Sequence, residues 1–163
     1  MAPQSPSLAQ KRRSSPVGSR FVILARSSYP LENEVRNPPP AMKILIVDDV
    51  QEYLDSMTRA LREHEVVQAT TLGEAKQNID ETIDVVLADV RLSEEDPANR
   101  DGVRLLKWTK EEFPSIPVIV MSAYRDHDAA VDAVNLGAER YLKKPISLRE
   151  LNDLIDELQT SEA

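Results

Sequence analysis

Five side chains in this 163-residue sequence combine types suited to phosphoryl chemistry: Asp48, Asp49, Asp89, Ser122 and Lys144. Each ends or follows a short apolar run. Asp48 and Asp49 close Ile44-Leu-Ile-Val47, Asp89 closes Val85-Val-Leu-Ala88, Ser122 closes the run from Ile116, and Lys144 follows Arg140 to Lys143. Three gathered carboxylates repel one another unless a cation sits among them, and oxygen-only ligands with room for water suit Mg²⁺. A phosphoryl group would complete such a shell. The lysine would neutralise phosphoryl oxygens, the hydroxyl would donate a hydrogen bond, and one carboxylate would act as nucleophile. Asp89 is best placed for that, on a central strand between the metal carboxylates and the lysine. Taken singly, these residues have plainer readings: a cap or turn aspartate, a strand-end hydroxyl, a solvated charge. What favours a shared site is that four separate segments agree.

The elements that must position them follow from periodicity. Lys43 to Val47 is a continuous apolar run, as in a strand buried on both faces of a parallel sheet. Val50 to His64 carries a helical stripe of Tyr53, Leu54, Met57, Ala60 and Leu61. Val66 to Ala69 is a second strand, leading into Thr71-Leu-Gly-Glu74, a capping box in which Thr caps the helix and Glu reaches back. The alternation continues with a strand over Asp84 to Asp89, a helix over Gly102 to Phe113, a strand over Ile116 to Ser122, and a helix from His127 to Leu136 that ends at Gly137. Arg140 to Lys143 is a fifth strand. Ser147-Leu-Arg-Glu150 is a second capping box, opening a helix with the stripe Leu148, Leu151, Leu154, Ile155 and Leu158. Five strand-helix units predict an α/β fold, a parallel sheet with helices on both faces. Ligands of such sheets bind at the carboxyl ends of the strands, where all five chemical residues stand.

Composition sets the bounds. The absence of cysteine excludes disulfides, thiolate metal sites and a cysteine nucleophile. The longest apolar run, Phe21 to Ala25, is far short of the roughly 20 residues of a membrane helix. The net charge of -8 is the sum of two unlike parts: residues 1–41 hold six basic and two acidic residues, leaving -12 for residues 42–163. Seven of the eleven prolines lie in the first 41 residues, so that segment is expected to be a disordered Pro/Ser/Arg-rich extension. It is read as an extension without a dedicated role, as sequence upstream of a true start at Met42, or as a targeting peptide or basic arm. The charge of -12 disfavours nucleic acid as a direct partner of the acidic domain, and GxGxxG and GxxxxGK stretches are absent. His64 and His127 read as surface helix-end residues, with no second ligand at metal spacing.

Residues 42–163 resemble a receiver domain of the two-component response-regulator family, of the stand-alone, chemotaxis-regulator-like single-domain type. The resemblance rests on Ile44-Leu-Ile-Val-Asp48-Asp49, Val86-Leu-Ala-Asp89, Val120-Met-Ser122-Ala123 and Gly137-Ala-Glu-Arg-Tyr141-Leu-Lys-Lys144-Pro145, in family order and with family-like spacing. It implies a flavodoxin-like fold with strand order 2-1-3-4-5, in the cytoplasm. It further implies that Asp89 accepts phosphate from a sensor histidine kinase or a histidine phosphotransfer protein. Asp49 would bind Mg²⁺ directly, Asp48 mainly through water, and the Arg91 backbone carbonyl would be a further ligand. Ser122 and Lys144 would contact the phosphoryl group, and Tyr141 would be the switch aromatic. The Lys144-Pro145 bond is commonly cis in the family. Output would pass to a downstream effector protein through the last two helices and the strand between them, with no enzymatic activity beyond self-catalysed phosphotransfer and autodephosphorylation.

Two features depart from the family pattern. Ser93 and Gly102 stand four and thirteen residues after Asp89, where Pro and Gly are usual at four and eight, so the segment 91–101 holds about five extra residues. It is read as a tolerated surface insertion, with gating of the site or partner selection as the alternative. Arg91 and Tyr124 occupy the positions two beyond Asp89 and Ser122, where a bulky pair would shield the acyl phosphate and slow its hydrolysis. The rival reading is a Mg²⁺-dependent phosphotransfer enzyme with an aspartyl nucleophile. Against it, Arg91 stands where such enzymes place a second acid.

Overall fold

The computed structural model describes residues 37–123 and 127–161. The chain divides into two units between Pro38 and Pro39, and the architecture below is that of the second. Residues 1–36, which hold most of the proline-rich segment, and Tyr124 lie outside the described residues.

Among the described residues, five strands alternate with five helices: β1 (Lys43–Val47), α1 (Gln51–Ala60), β2 (Glu65–Ala69), α2 (Leu72–Asn78), β3 (Val85–Asp89), α3 (Asp101–Glu112), β4 (Val118–Ser122), α4 (His127–Asn135), β5 (Arg140–Lys143) and α5 (Leu148–Ser161). The strands are all parallel, as the sequence predicts, and stand in the order β2-β1-β3-β4-β5 that the family resemblance implies. Every residue of β3 and β4 is buried. That is the environment of central strands covered on both faces, and it explains their unbroken apolar runs.

Two apolar layers flank the sheet. One packs Leu45, Val47, Val86, Val118 and Val120 against Ala75, Leu105, Leu106, Ala129 and Ala133 of α2, α3 and α4. The other packs Ile44, Ile46, Val85, Leu87, Ile119 and Met121 against Leu54 and Met57 of α1 and Leu151, Leu154, Ile155 and Leu158 of α5. Successive strand residues supply opposite layers, as the two-residue repeat requires. Met42 is itself buried in the second layer, and its backbone N–H donates to His64 Nδ1 at 3.2 Å.

Local differences from the sequence expectations have local causes. Thr71 caps α2 as expected, accepting from the Glu74 amide at 3.2 Å. The return bond from Glu74 goes to Thr70, whose amide and hydroxyl reach Oε2 at 2.8 and 2.9 Å, one residue upstream of the predicted position. These bonds hold the Glu74 carboxyl below its usual pKa. Ser147 accepts from the Glu150 amide at 3.1 Å, so the second predicted cap is also in place. Leu148, assigned to the apolar stripe of α5, instead stands 54% exposed. It is the first residue of that helix, ahead of the turn that reaches the sheet. Gly137 has φ of 85°, the left-handed conformation expected after α4. Replacing Thr71 with Ala is expected to cost about 1 kcal/mol by orphaning the Glu74 amide, read as a lower denaturant midpoint at unchanged slope.

Candidate functional site

Strand register assembles the rim. Val47 pairs with Ala88, which sets Asp48 beside Asp89 one residue further on. Asp89 pairs with Met121 and Ser122 with Lys143. Backbone bonds extend these ladders past the strand ends, from Asp48 N to Ala69 O (3.1 Å), Val90 N to Met121 O (2.8 Å) and Lys144 N to Ser122 O (2.8 Å). Asp48, Asp89, Ser122 and Lys144 therefore stand at or next to paired backbone, while Asp49 lies one residue beyond the ladder, in a bend. The Lys144–Pro145 peptide is cis.

Lys144 is the hub. Its ammonium pairs with Asp48 Oδ2 and lies 3.1 Å from Asp89 Oδ2, so one cation bridges two carboxylates 41 residues apart in sequence. It also lies 4.2 Å from the centroid of the Tyr53 ring, a cation–π contact. Tyr53 was legible only as a core residue of the α1 stripe. Its place four residues after Asp49, in the first turn of the helix leaving the rim, was the available signal.

The paired aspartates divide their work. Asp48 is fully buried, with Oδ1 accepting from the Val50 amide at 2.9 Å and Oδ2 engaged by Lys144. Asp49 is only partly buried and lines a cavity of about 250 Å³ together with Val50, Asp89, Arg91, Glu94, Ala123 and Lys144. One carboxylate oxygen from each of Asp48, Asp49 and Asp89 lies within 4.8 Å of the others, close enough to share a cation. A larger hollow of about 500 Å³ between Ile83 and Ile116 contains none of the five predicted site residues.

Electrostatics support a cation site. Asp89 is pushed up to about pKa 6, first by burial, with Lys144 opposing and the charges of Asp48 and Asp49 adding. Burial alone would lower the Lys144 ammonium, but the charge of Asp89 and the hydrogen bond and charge of Asp48 outweigh it and hold the pKa above its ordinary value. A carboxylate so reluctant to ionise beside a lysine has too little positive charge nearby, and a divalent ion would supply it. The donor set is oxygen throughout, which fits Mg²⁺.

Ser122 is buried at the end of β4, and its hydroxyl donates to the Ala123 carbonyl at 3.1 Å. Tyr141, paired with Val120, is half-buried against the α2–α3–α4 layer. Gly102, displaced in sequence from the family's usual glycine position, packs directly against the end of β3. A Cβ there would lie 1.9 Å from the carbonyl oxygen of Asp89 and 2.8 Å from Val90 Cα. Its amide bonds Val90 O at 3.0 Å. The five extra residues thus bulge outward before Gly102 returns α3 to the end of β3.

That bulge lies at the surface, as its sequence suggests, with residues 94–98 all exposed, but its two ends are tied down. Leu92 is buried in the core, Asn99 Oδ1 accepts from the amides of both Leu92 and Asp101 at 3.0 Å, and the Glu94 amide donates to Asp49 Oδ2 at 3.1 Å. The acidic composition of the segment hid one apolar anchor and one bridging amide side chain.

The response regulator receiver domain family model matches residues 44–156. The chain belongs to this family. The receiver is 35% identical over 121 residues to the DNA-binding transcriptional regulator NtrC of Proteus hauseri, covering 69% of this chain and 24% of NtrC. It is 36% identical over 117 residues to the transcriptional regulatory protein ZraR of Klebsiella oxytoca, covering 70% and 25%. The chain therefore spans about a quarter of the length of these curated relatives. Among solved structures, the CheY-like receiver domain protein of Methanospirillum hungatei JF-1 superposes with a TM-score of 0.66 at 30% identity, covering 76% of this chain and 99% of that one. The receiver domain of NtrX from Brucella abortus gives 0.63 at 27%, covering 72% and 98%. Membership makes residues 44–156 a receiver domain, the module that characterises response regulators. No helix among the described residues is long and apolar enough to cross a membrane.

Proposed function

We propose that this receiver accepts a phosphoryl group on Asp89 from the phosphohistidine of a sensor kinase or a phosphotransfer protein, in the cytoplasm. It then switches its binding to a downstream protein. The observation that carries the reading is the bridging of Asp48 and Asp89 by Lys144 beside the Asp49-lined cavity. In the transfer, an Asp89 carboxylate oxygen forms the new bond to phosphorus. The phosphorus–nitrogen bond breaks, and the imidazole keeps the electron pair and takes up a proton. Lys144 meets the charge developing on the phosphoryl oxygens from its place 3.1 Å from Asp89. Asp49, Asp89 and the Arg91 carbonyl would hold Mg²⁺, with Asp48 acting through water, and bound Mg²⁺ would supply the remaining positive charge at the phosphoryl oxygens.

Asp48 has the Val50 amide on one oxygen and Lys144 on the other, which supports the indirect role, while Asp49 at the cavity wall supports the direct one. Phosphorylation adds charge and acceptor oxygens, drawing Ser122 away from the Ala123 carbonyl and giving Tyr141 room to move inward. Val131 and Val134 are exposed on α4, one of the elements assigned to the effector. The bulky residues Arg91 and Tyr124 would slow loss of the phosphoryl group.

The test is incubation of the full chain with Mg²⁺ and a small phosphodonor, followed by intact mass. One phosphoryl adduct per chain is expected, absent without Mg²⁺ and absent in Asp89→Ala. No Asp89-dependent adduct, or multiple turnover of a small phosphoester, sinks the proposal, and the second result establishes the enzyme reading in its place.

A further inference from the structure

We infer that the inserted segment 91–101 is a positioning element for the metal, with the Glu94 backbone amide orienting the Asp49 carboxylate. The inference rests on the reading of the rim as a Mg²⁺ and phosphoryl site.

Three observations carry it. Asp48 and Asp89 are held by Lys144, whereas Asp49 Oδ2 is engaged by the Glu94 amide from 45 residues away in sequence. That donor is itself fixed on both sides. Upstream, the Leu92 side chain is buried in the core, and downstream Asn99 ties the Leu92 and Asp101 amides together through a single oxygen. Finally, Glu94 lines the same cavity as Asp49 and Asp89, so the amide approaches Asp49 at the site and not from behind it.

An N–H donated to a carboxylate is a charge-assisted bond, and here it engages one oxygen of a carboxylate that lines the cavity. Hydrogen bonds of this kind hold metal-binding carboxylates in place, and their loss typically weakens metal binding about 10- to 100-fold. A free loop of this length would impose no such direction.

The donor is a backbone group, so Glu94→Pro removes it and Glu94→Ala retains it. Mg²⁺ affinity of the full chain is measured by titration calorimetry for both variants, for Asn99→Ala and for wild type. Folding is followed by circular dichroism. Glu94→Pro is expected to bind Mg²⁺ about tenfold more weakly than Glu94→Ala. Asn99→Ala is expected to fall between them, and raised Mg²⁺ should restore the phosphorylation rate of Glu94→Pro. Equal affinities for the two Glu94 variants overturn the inference. So does tighter binding by Glu94→Pro, which would make the amide a competitor of the metal. If Glu94→Pro fails to fold, Asn99→Ala decides, and wild-type affinity there overturns the inference. The expected order of affinities in a protein that gives no Asp89 adduct would uphold the positioning role and defeat the phosphoacceptor reading.

Discussion

Asp89→Asn is expected to abolish phosphoryl transfer and, in chelator-treated protein, to raise stability at pH 7. Both effects come from the same carboxylate. Burial, reinforced by Asp48 and Asp49, holds the folded-state pKa at about 6 against an ordinary value of 3.8, despite the opposing charge of Lys144. Between those values the folded chain keeps a proton that the unfolded chain has released, so stability falls as pH rises from about 4 to about 6. The loss is about 2–3 kcal/mol, fully developed above pH 6. Asn has the size of Asp without the ionisation, so the variant should show little of that decline. Lys144 keeps Asp48 as its partner in the variant, and its attraction to Asp89 is already contained in the value of about 6. Urea denaturation at pH 4.5 and 7 in chelator measures the difference. Equal pH slopes for wild type and variant would contradict the account. Adding Mg²⁺ should stabilise wild type more than Asp89→Asn, because a ligand held by the folded state stabilises it by mass action.

Gly102→Ala is the substitution expected to cost most for the smallest chemical change. The new methyl group would meet the Asp89 carbonyl oxygen at 1.9 Å and its carbonyl carbon at 2.7 Å, and neither backbone atom can rotate away. The start of α3 must lift from the end of β3, stretching the bond from the Gly102 amide to Val90 O. A stability loss of about 3 kcal/mol is expected from the overpacking. Phosphorylation should slow as well, by up to about 100-fold, since displacing Asp89 by about 1 Å spoils its alignment with the incoming phosphorus. Gly73→Ala is the control. Its new Cβ would have only Thr71 Oγ1 nearby, at 4.0 Å, within a helix where Ala is preferred by about 0.5–1 kcal/mol. Opposite shifts of the urea midpoint are therefore expected from two chemically identical changes.

The fold and the five polar residues at the sheet's carboxyl edge were legible for one reason. A parallel sheet buried on both faces writes each strand as an apolar run, and the polar residue that ends the run marks the rim. Val47-Asp48-Asp49, Ala88-Asp89 and Met121-Ser122 all carry that mark, and Lys144 follows the fifth strand. Helix starts were legible where a side chain caps its own backbone, as Thr71 and Ser147 do. The partner of Glu74 was off by one residue because both Thr70 and Thr71 offered it an N–H donor, and sequence spacing does not choose between them.

Residue types and spacing thus suffice for the order of elements, the covered sheet and the five polar residues at its carboxyl edge. These follow from local patterns that the chain repeats and from the burial of whole strands. Tertiary structure alone decided how those residues share charge: Lys144 bridging Asp48 and Asp89 over the Tyr53 ring, Asp48 turned inward, and Asp49 left at the cavity. It also decided that Gly102 lies against Asp89 and that the acidic insertion is anchored by Leu92 and reaches Asp49 through the Glu94 amide. These contacts join residues from 13 to 96 positions apart. Such distances carry no periodicity, and a backbone N–H leaves no mark in the sequence of side chains.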